Sequence, residues 1–388
     1  MSLPFGFLFS FLLHGFVAWR VVPDLATVSA PLGVALASLL LFSAILFPMG
    51  FLARRVARPP WSDVLAWLGW LCMGGISSLF VLTLLREAGL LVAFVIDWLW
   101  PSTQALSAFR PVSAVALPVL GLLVTAWGFW NARRTAAVVP VDVPIANLPD
   151  ALHGFSIAQI SDLHVGSTIK GEYVRRIVTR VNGLGADMVA ITGDLVDGSV
   201  PELRDHVAPL AGLTSTHGTF FVTGNHEYYA GVAGWIDKLR SLGIQVLMNQ
   251  HVLIEHTTTP DSQSALLLVA GVTDFSAHHF DERHRSDPQA ALAGAPAQAE
   301  FKLLLAHQPR SAAAAAQAGF DLQLSGHTHG GQFWPWNHFV KFQQPYTAGL
   351  HKLQLLWVYT SRGTGYWGPP KRFGAPSEIT HLRLVRAS

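Results

Sequence analysis

The chain is poor in charge and nearly devoid of cysteine. Only 13% of its 388 residues are Asp, Glu, Lys or Arg, against 51% hydrophobic, which is too apolar for an ordinary soluble enzyme. Its single cysteine, Cys72, lies in an apolar run. That excludes an intrachain disulfide framework and leaves redox compartment open. Lysine is missing from the first 134 residues, which hold eight Arg, four acidic groups and one His, His14. The rest carries 18 basic, 20 acidic and 16 His residues. So balanced a charge leaves no basic footprint, and no nucleic-acid polymer is expected as a partner. The first apolar run has neither a basic n-region nor a small-residue cleavage site, and no twin-Arg start is visible, so a cleavable signal is not expected.

What is present falls into two unlike pieces. Residues 1–134 read as a transmembrane helical region of about four spans, because crossing the hydrocarbon layer takes about 20 mostly apolar residues with a self-satisfied backbone. The runs lie near residues 4–22, 31–53, 64–85 and 112–131. A fifth stretch, Leu90 to Trp100, is short and carries Asp97 and two Trp, and it reads as interfacial or re-entrant, with a fifth full span as the alternative. Arg54, Arg55, Arg58, Arg133 and Arg134 lie in loops or ends on one side, and Arg20, Arg86 and Arg110 on the other. This bias places both termini and the globular part in the cytoplasm, with the chain integral to a bacterial inner (cytoplasmic) membrane.

Residues 135–152, with several prolines and β-branched residues, read as an extended linker. From 153 to 388 short β-rich runs alternate with amphipathic ones. Strands are expected at Ser156–Ile160, Met188–Ile191, Thr219–Val222, Leu266–Ala270, Leu303–Ala306, Leu322–Leu324 and Leu355–Tyr359. Helices are expected around Tyr173–Val181, Pro201–Leu210, Trp235–Leu242 and Arg310–Ala318. The pattern is α/β, with two facing sheets flanked by helices.

Chemistry concentrates just beyond the carboxyl ends of five of these strands. The clusters are Ser161-Asp162-Leu163-His164, Gly193-Asp194, Gly224-Asn225-His226-Glu227, His307, and Gly326-His327-Thr328-His329-Gly330-Gly331-Gln332. In open α/β sheets that edge is where ligands bind. Carboxylate and imidazole side chains suit divalent cations, and the glycines suit tight turns.

These motifs resemble the calcineurin-like metallophosphoesterases, with DxH, GD, GNH[D/E], H and GHxH all present in order. The GHTHGGQ ending, with Arg372 to Ile379 further on, is similar to the membrane-associated branch of that family. The resemblance implies that Asp162, His164 and His329 hold one metal. Asn225, His307 and His327 would hold the second, with Asp194 bridging. It implies two divalent ions, Mn, Fe, Zn or Co, and a metal-activated hydroxide that attacks phosphorus. His226, not a ligand, would protonate or stabilise the leaving group, oriented by Glu227 or another nearby carboxylate.

The expected protein is a membrane-anchored phosphohydrolase acting on a phosphoester or pyrophosphate, in a lipid or a lipid-linked nucleotide. A phosphodiesterase for a soluble nucleotide, with the spans as tether, is the alternative. A non-catalytic sensing or transport module with a phosphate-binding domain would have lost ligands or His226, and none is lost. Phe333, Trp334, Trp336, Phe339 and Phe342 form either an apolar wall by the site or core packing. Arg362, Lys371 and Arg372 either receive substrate phosphate or are solvated surface charge. No motif covers His278, His279 or His284, which read as ordinary loop residues.

Overall fold

The computed structural model describes residues 3–257 and 263–387. Its contacts divide the chain into a helical unit, up to Arg133 together with Gly368–Phe373, and an α/β unit made of the remainder.

The helical unit consists of α1 (Leu3–Val28), α2 (Ala30–Leu46), α3 (Met49–Val56), α4 (Trp61–Leu99) and α5 (Ala105–Arg133). Three of these are long and apolar enough to cross a membrane, and the pair α2 and α3, bent by 54°, makes up to four. The bend falls at Pro48, where a helix loses a donor and gains a clash.

The stretch from Leu90 to Trp100 does not turn back as a re-entrant piece of its own. Leu90 to Leu99 is the last part of α4, an unbroken helix of 39 residues. Arg86 and Glu87, the charges that end the apolar run, do not end the helix because neighbours satisfy them. Arg86 is buried, paired with Asp24, and donates to Ser113 Oγ at 2.9 Å, while Arg20 pairs with Glu87. Buried charges persist only when paired in this way.

Gly368–Phe373 packs within the same unit. Lys371 Nζ donates to the Gly74 carbonyl at 3.1 Å and to Ser78 Oγ, and the Arg372 amide donates to the Gly128 carbonyl at 2.8 Å. A Cβ on Gly128 would stand 2.7 Å from Lys371 Cγ, so a larger residue there would displace the Lys371 side chain. Lys371 and Arg372 are buried. Neither is solvated surface charge.

The α/β unit contains β1 (Ala137–Ile145), β2 (Ser156–Ile160), α6 (Gly171–Asn182), β3 (Met188–Thr192), α7 (Val200–Val207), β4 (Thr219–Val222), α8 (Asn225–Ala230), α9 (Val232–Ser241), β5 (Gln245–Val246) and β6 (Gln250–His256). It continues with β7 (Ala265–Gly271), β8 (Phe301–Leu305), α10 (Ala312–Ala318), β9 (Leu322–Ser325), β10 (Gly349–Leu353), β11 (Leu356–Thr360) and β12 (Glu378–Arg386). Two six-stranded sheets result, ordered β1-β12-β2-β3-β4-β5 and β10-β11-β9-β8-β7-β6. The residues expected to form a linker instead supply β1, paired in parallel with β12. Val143 and Ile145 are buried in the core, which gives that segment a place in the sheet. Pro140 and Pro144 are tolerated because β1 is an edge strand, where a missing amide breaks no central ladder.

Between the sheets, Ile157, Ala190, Phe220 and Val222 meet Leu267, Val269, Leu303, Leu305, Leu322 and Leu324. Full burial of each Ile, Leu, Val or Phe among them contributes on the order of 1.5–3 kcal/mol. Gln159 is the polar exception, with Nε2 donating to Thr192 Oγ1 and to the Ser325 carbonyl, both at 2.9 Å. It ties the ends of β2, β3 and β9 together just beneath the ligand loops.

Candidate metal centre

β2, β3 and β4 run parallel in one sheet, as do β8 and β9 in the other. Each ends in one of the ligand clusters. The loops turn abruptly: Asp162, His164, Asp194, His327 and His329 all have left-handed backbone, with φ of 54°, 53°, 51°, 70° and 52°. For residues with a side chain this costs on the order of 1–3 kcal/mol each, and such strain gathers at functional sites. The adjoining glycines make room for the ligands themselves. A Cβ on Gly224 would lie 2.2 Å from Asp194 Oδ1, and one on Gly326 would lie 2.2 Å from Asp162 Oδ2.

Three overlapping groups offer ligand atoms within 4.8 Å of one another: Asp162, His164 and His329; His164, Asp194 and His226; and Asp194, His307 and His327. His164 Nε2 faces His329 Nε2 at 3.1 Å, and His329 Nε2 lies 3.5 Å from Asp162 Oδ1. On the other side His307 Nε2 is 3.1 Å from both His327 Nδ1 and Asp194 Oδ2. Two nitrogens each about 2.1 Å from one cation, at right angles, stand about 3 Å apart, so the residues fit cations on both sides. Asp194 Oδ2 belongs to both sides, being also 3.9 Å from His164 Nε2. Asp194 Oδ1 is occupied by the His226 amide at 2.9 Å. Asn225 Oδ1 is buried with no hydrogen-bond partner among the described residues. A buried oxygen left this way is costly unless something else, such as a cation, takes it.

The imidazoles are held by their second nitrogens. His307 Nδ1 donates to the Thr192 carbonyl at 2.8 Å, which turns Nε2 inward. Asp197 Oδ1 accepts from both His164 Nδ1, at 2.9 Å, and His226 Nδ1, at 2.7 Å. Of the two options for orienting His226, Glu227 or another nearby carboxylate, the group in hydrogen-bonding position is the second, Asp197. Glu227, fully buried, instead accepts from the backbone amides of Gly224, Asp194 and Leu195 at 2.6, 3.0 and 2.7 Å. It is the rivet that joins the β3 and β4 loops. Asp197 stands three residues after Asp194 in Gly193-Asp194-Leu195-Val196-Asp197, and that spacing was the one available signal.

Electrostatics follow from this packing. Burial opposes charge on Asp197, yet His164 and His226 hold its carboxyl well below the usual range. Burial likewise opposes charge on His226, but Asp194 and Asp197 push it up to about 9. Burial, reinforced by the Asp194 charge, pushes Glu227 up to about 8.

His226 Nε2, 4.0 Å from Asp194 Oδ2, is flanked edge-on by the rings of Tyr229 and Trp367, at 5.4 and 5.8 Å. Gln332 fixes Trp367 through two bonds to its backbone, 2.8 and 2.9 Å long. Of the aromatic segment after the last ligands, Trp334, Trp336, Phe339 and Phe342 are exposed, Phe342 by 77%. They are not core packing. Arg362 is pinned to Glu378, through Nε at 2.7 Å and its own amide at 3.1 Å.

Fold and site together define a metal-dependent phosphoesterase domain, carried on a chain with membrane-type helices. The calcineurin-like phosphoesterase family profile matches residues 155–331. A Bos taurus protein named transmembrane protein with metallophosphoesterase domain is 37% identical over 369 residues, covering 91% of this chain and 80% of its own. Its namesake from Danio rerio is 38% identical, but the chain spans only 63% of that relative's length. An uncharacterized metallophosphoesterase of Campylobacter jejuni is 35% identical, covering 71% of this chain and 70% of its own. The chain belongs to the calcineurin-like metallophosphoesterase family. Among solved structures, a 5'-nucleotidase precursor from Thermus thermophilus aligns with TM-score 0.38 and 12% identity over 59% of this chain and 54% of its own. Neither activity nor substrate transfers at that level.

Proposed function

We propose that the protein is a membrane-anchored dinuclear-metal phosphohydrolase that cleaves a phosphoester or pyrophosphate bond in a lipid or lipid-linked nucleotide. Asp162, His164 and His329 hold one cation in this reading, Asn225, His307 and His327 the other, and Asp194 bridges them. The observation that carries it is Asp194 Oδ2, shared between two sets of inward-facing imidazole nitrogens. Two such cations, when bound, would neutralise charge on the phosphoryl oxygens and lower the pKa of water so that hydroxide is available at neutral pH. The protein's own part is orientation and proton delivery. Asp197 accepts from His226 Nδ1, which turns Nε2 toward the cation side as the proton donor to the leaving oxygen. The strained loops fix the ligands before substrate arrives, which removes reorganisation from the reaction.

The lipid assignment is supported by the exposed aromatics directly after His329 and by the spans on the same chain. The arginine distribution supports a cytoplasmic domain at a bacterial inner membrane. Purified full-length protein supplied with manganese is expected to hydrolyse an aryl phosphodiester or monoester, and Asp194→Asn is expected to abolish turnover. Folded, metal-loaded protein inert toward every phosphoester would end the reading. Comparing lipid extracts from cells carrying wild type or Asp194→Asn then identifies the substrate by what accumulates.

A further inference from the structure

Away from the ligand loops, the α/β unit has an open cleft of about 820 Å³ between one face of α6 and the chain just after α5. Its α6 wall carries Arg175, Arg176, Thr179 and Arg180, spaced to share one helical face, and its other wall is Thr135 to Val138. Three guanidinium groups line it against one carboxylate, Glu172, which pairs with Arg175 at 3.1 Å from Nε. Arg176 lies over the Tyr173 ring, 5.4 Å from its centroid, while Arg175 and Arg180 are exposed. The cleft therefore has a net positive lining and hydroxyl donors, with no part in the candidate metal centre.

Chain length fixes where such a cleft operates. Thr135 is two residues beyond the end of α5, a helix long and apolar enough to cross a membrane. At about 3.5 Å per residue its wall starts about 7 Å from that helix end, within a Debye length of about 8 Å. Arg133 and Arg134 add charge to the same short stretch. Guanidinium forks match phosphate oxygens in pairs, which a lone ammonium does not.

We infer that this cleft is a seat for the phosphate headgroup of an anionic phospholipid from the bilayer that holds the chain's own helices. Arg176 and Arg180 supply the principal contacts, and the juxtamembrane backbone forms the opposite wall. Such a bound lipid would set the height of α6 at the headgroup layer. The site is independent of catalysis, so its failure and the failure of the phosphohydrolase reading are separable.

The test takes full-length protein in neutral detergent, titrated with phosphatidylglycerol or phosphatidylcholine, and counts retained lipid by native mass spectrometry. Wild type is expected to retain phosphatidylglycerol several-fold better than phosphatidylcholine. The double variant Arg176→Gln, Arg180→Gln is expected to lose that preference while hydrolysing an aryl phosphodiester at the wild-type rate. The double change to Lys should keep part of the preference, since charge remains and the fork does not. Unchanged retention in the Gln variant overturns the inference. Displacement of the lipid by equimolar inorganic phosphate overturns it as well, because the cleft would then be a site for free phosphate.

Discussion

At the scale of single residues, the site depends on groups that never touch a cation. Asp197 serves two imidazoles at once, so Asp197→Asn takes the carboxylate partner away from both a proposed ligand and the proposed proton donor. The expected loss is roughly 10–100-fold in metal affinity or turnover, and titration of metal content alongside kcat divides the two contributions. Glu227 accepts from three amides inside the protein. Glu227→Ala leaves those donors buried and unsatisfied, at about 1–3 kcal/mol each, and a large drop in denaturant midpoint is expected. Gly224→Ala drives a methyl group into Asp194 Oδ1. Metal content per chain, measured by plasma mass spectrometry, is expected to fall by at least half, and full occupancy would show that the loop can yield. The clusters that converge on the candidate metal centre were legible in the sequence because each is contiguous and follows an apolar run. Asp197 was not, since its role exists only where residues 29 and 33 positions away converge.

Elements were legible in proportion to how much of their side-chain pattern is buried. The central strands β2, β3, β4, β8 and β9 are nearly continuous apolar runs and were placed from sequence within a residue or two. The edge strand β1, with two prolines, resembles a connector until its partner is known, and β12 alternates too irregularly to stand out. Similarly α4 was divided in two because charge was taken as a terminus, whereas Arg86 and Glu87 find partners on neighbouring helices. The segment after His329 has the opposite character, with aromatics that no core claims. If Phe339 and Phe342 contact an acyl chain, Phe339→Ser with Phe342→Ser should raise KM for a long-chain substrate about tenfold or more. Hydrolysis of a water-soluble aryl ester should not change, and an equal loss on both substrates would point to damaged loop structure instead.

For the molecule as a whole, the ligand loops are joined to the sheets by buried polar links, so cation binding and folding are coupled. A ligand at 100 times its Kd stabilises a domain by about 2.7 kcal/mol, and a domain of this size shifts about 2–4 °C per kcal/mol. Chelation should therefore lower the Tm of the α/β transition by roughly 5–10 °C per site lost, reversibly on adding manganese. A Tm indifferent to chelator in scanning calorimetry would mean that no cation had been bound. The two-part organisation itself was readable from composition alone, because lysine-free apolar sequence gives way to His-rich sequence near residue 134. The assignment of Gly368–Phe373 to the helical unit was not, since it follows from glycines on α4 and α5 that leave space for Lys371 and Arg372.

Five of the proposed ligands stand on backbone that a side chain ordinarily avoids. Transplanting those side chains onto a regular helix or strand of another scaffold would not recreate the pocket, because the directions they point are set by turns such scaffolds do not contain. Anyone building this chemistry elsewhere has to move the loops, the crowding glycines and the rivet beneath them as one piece.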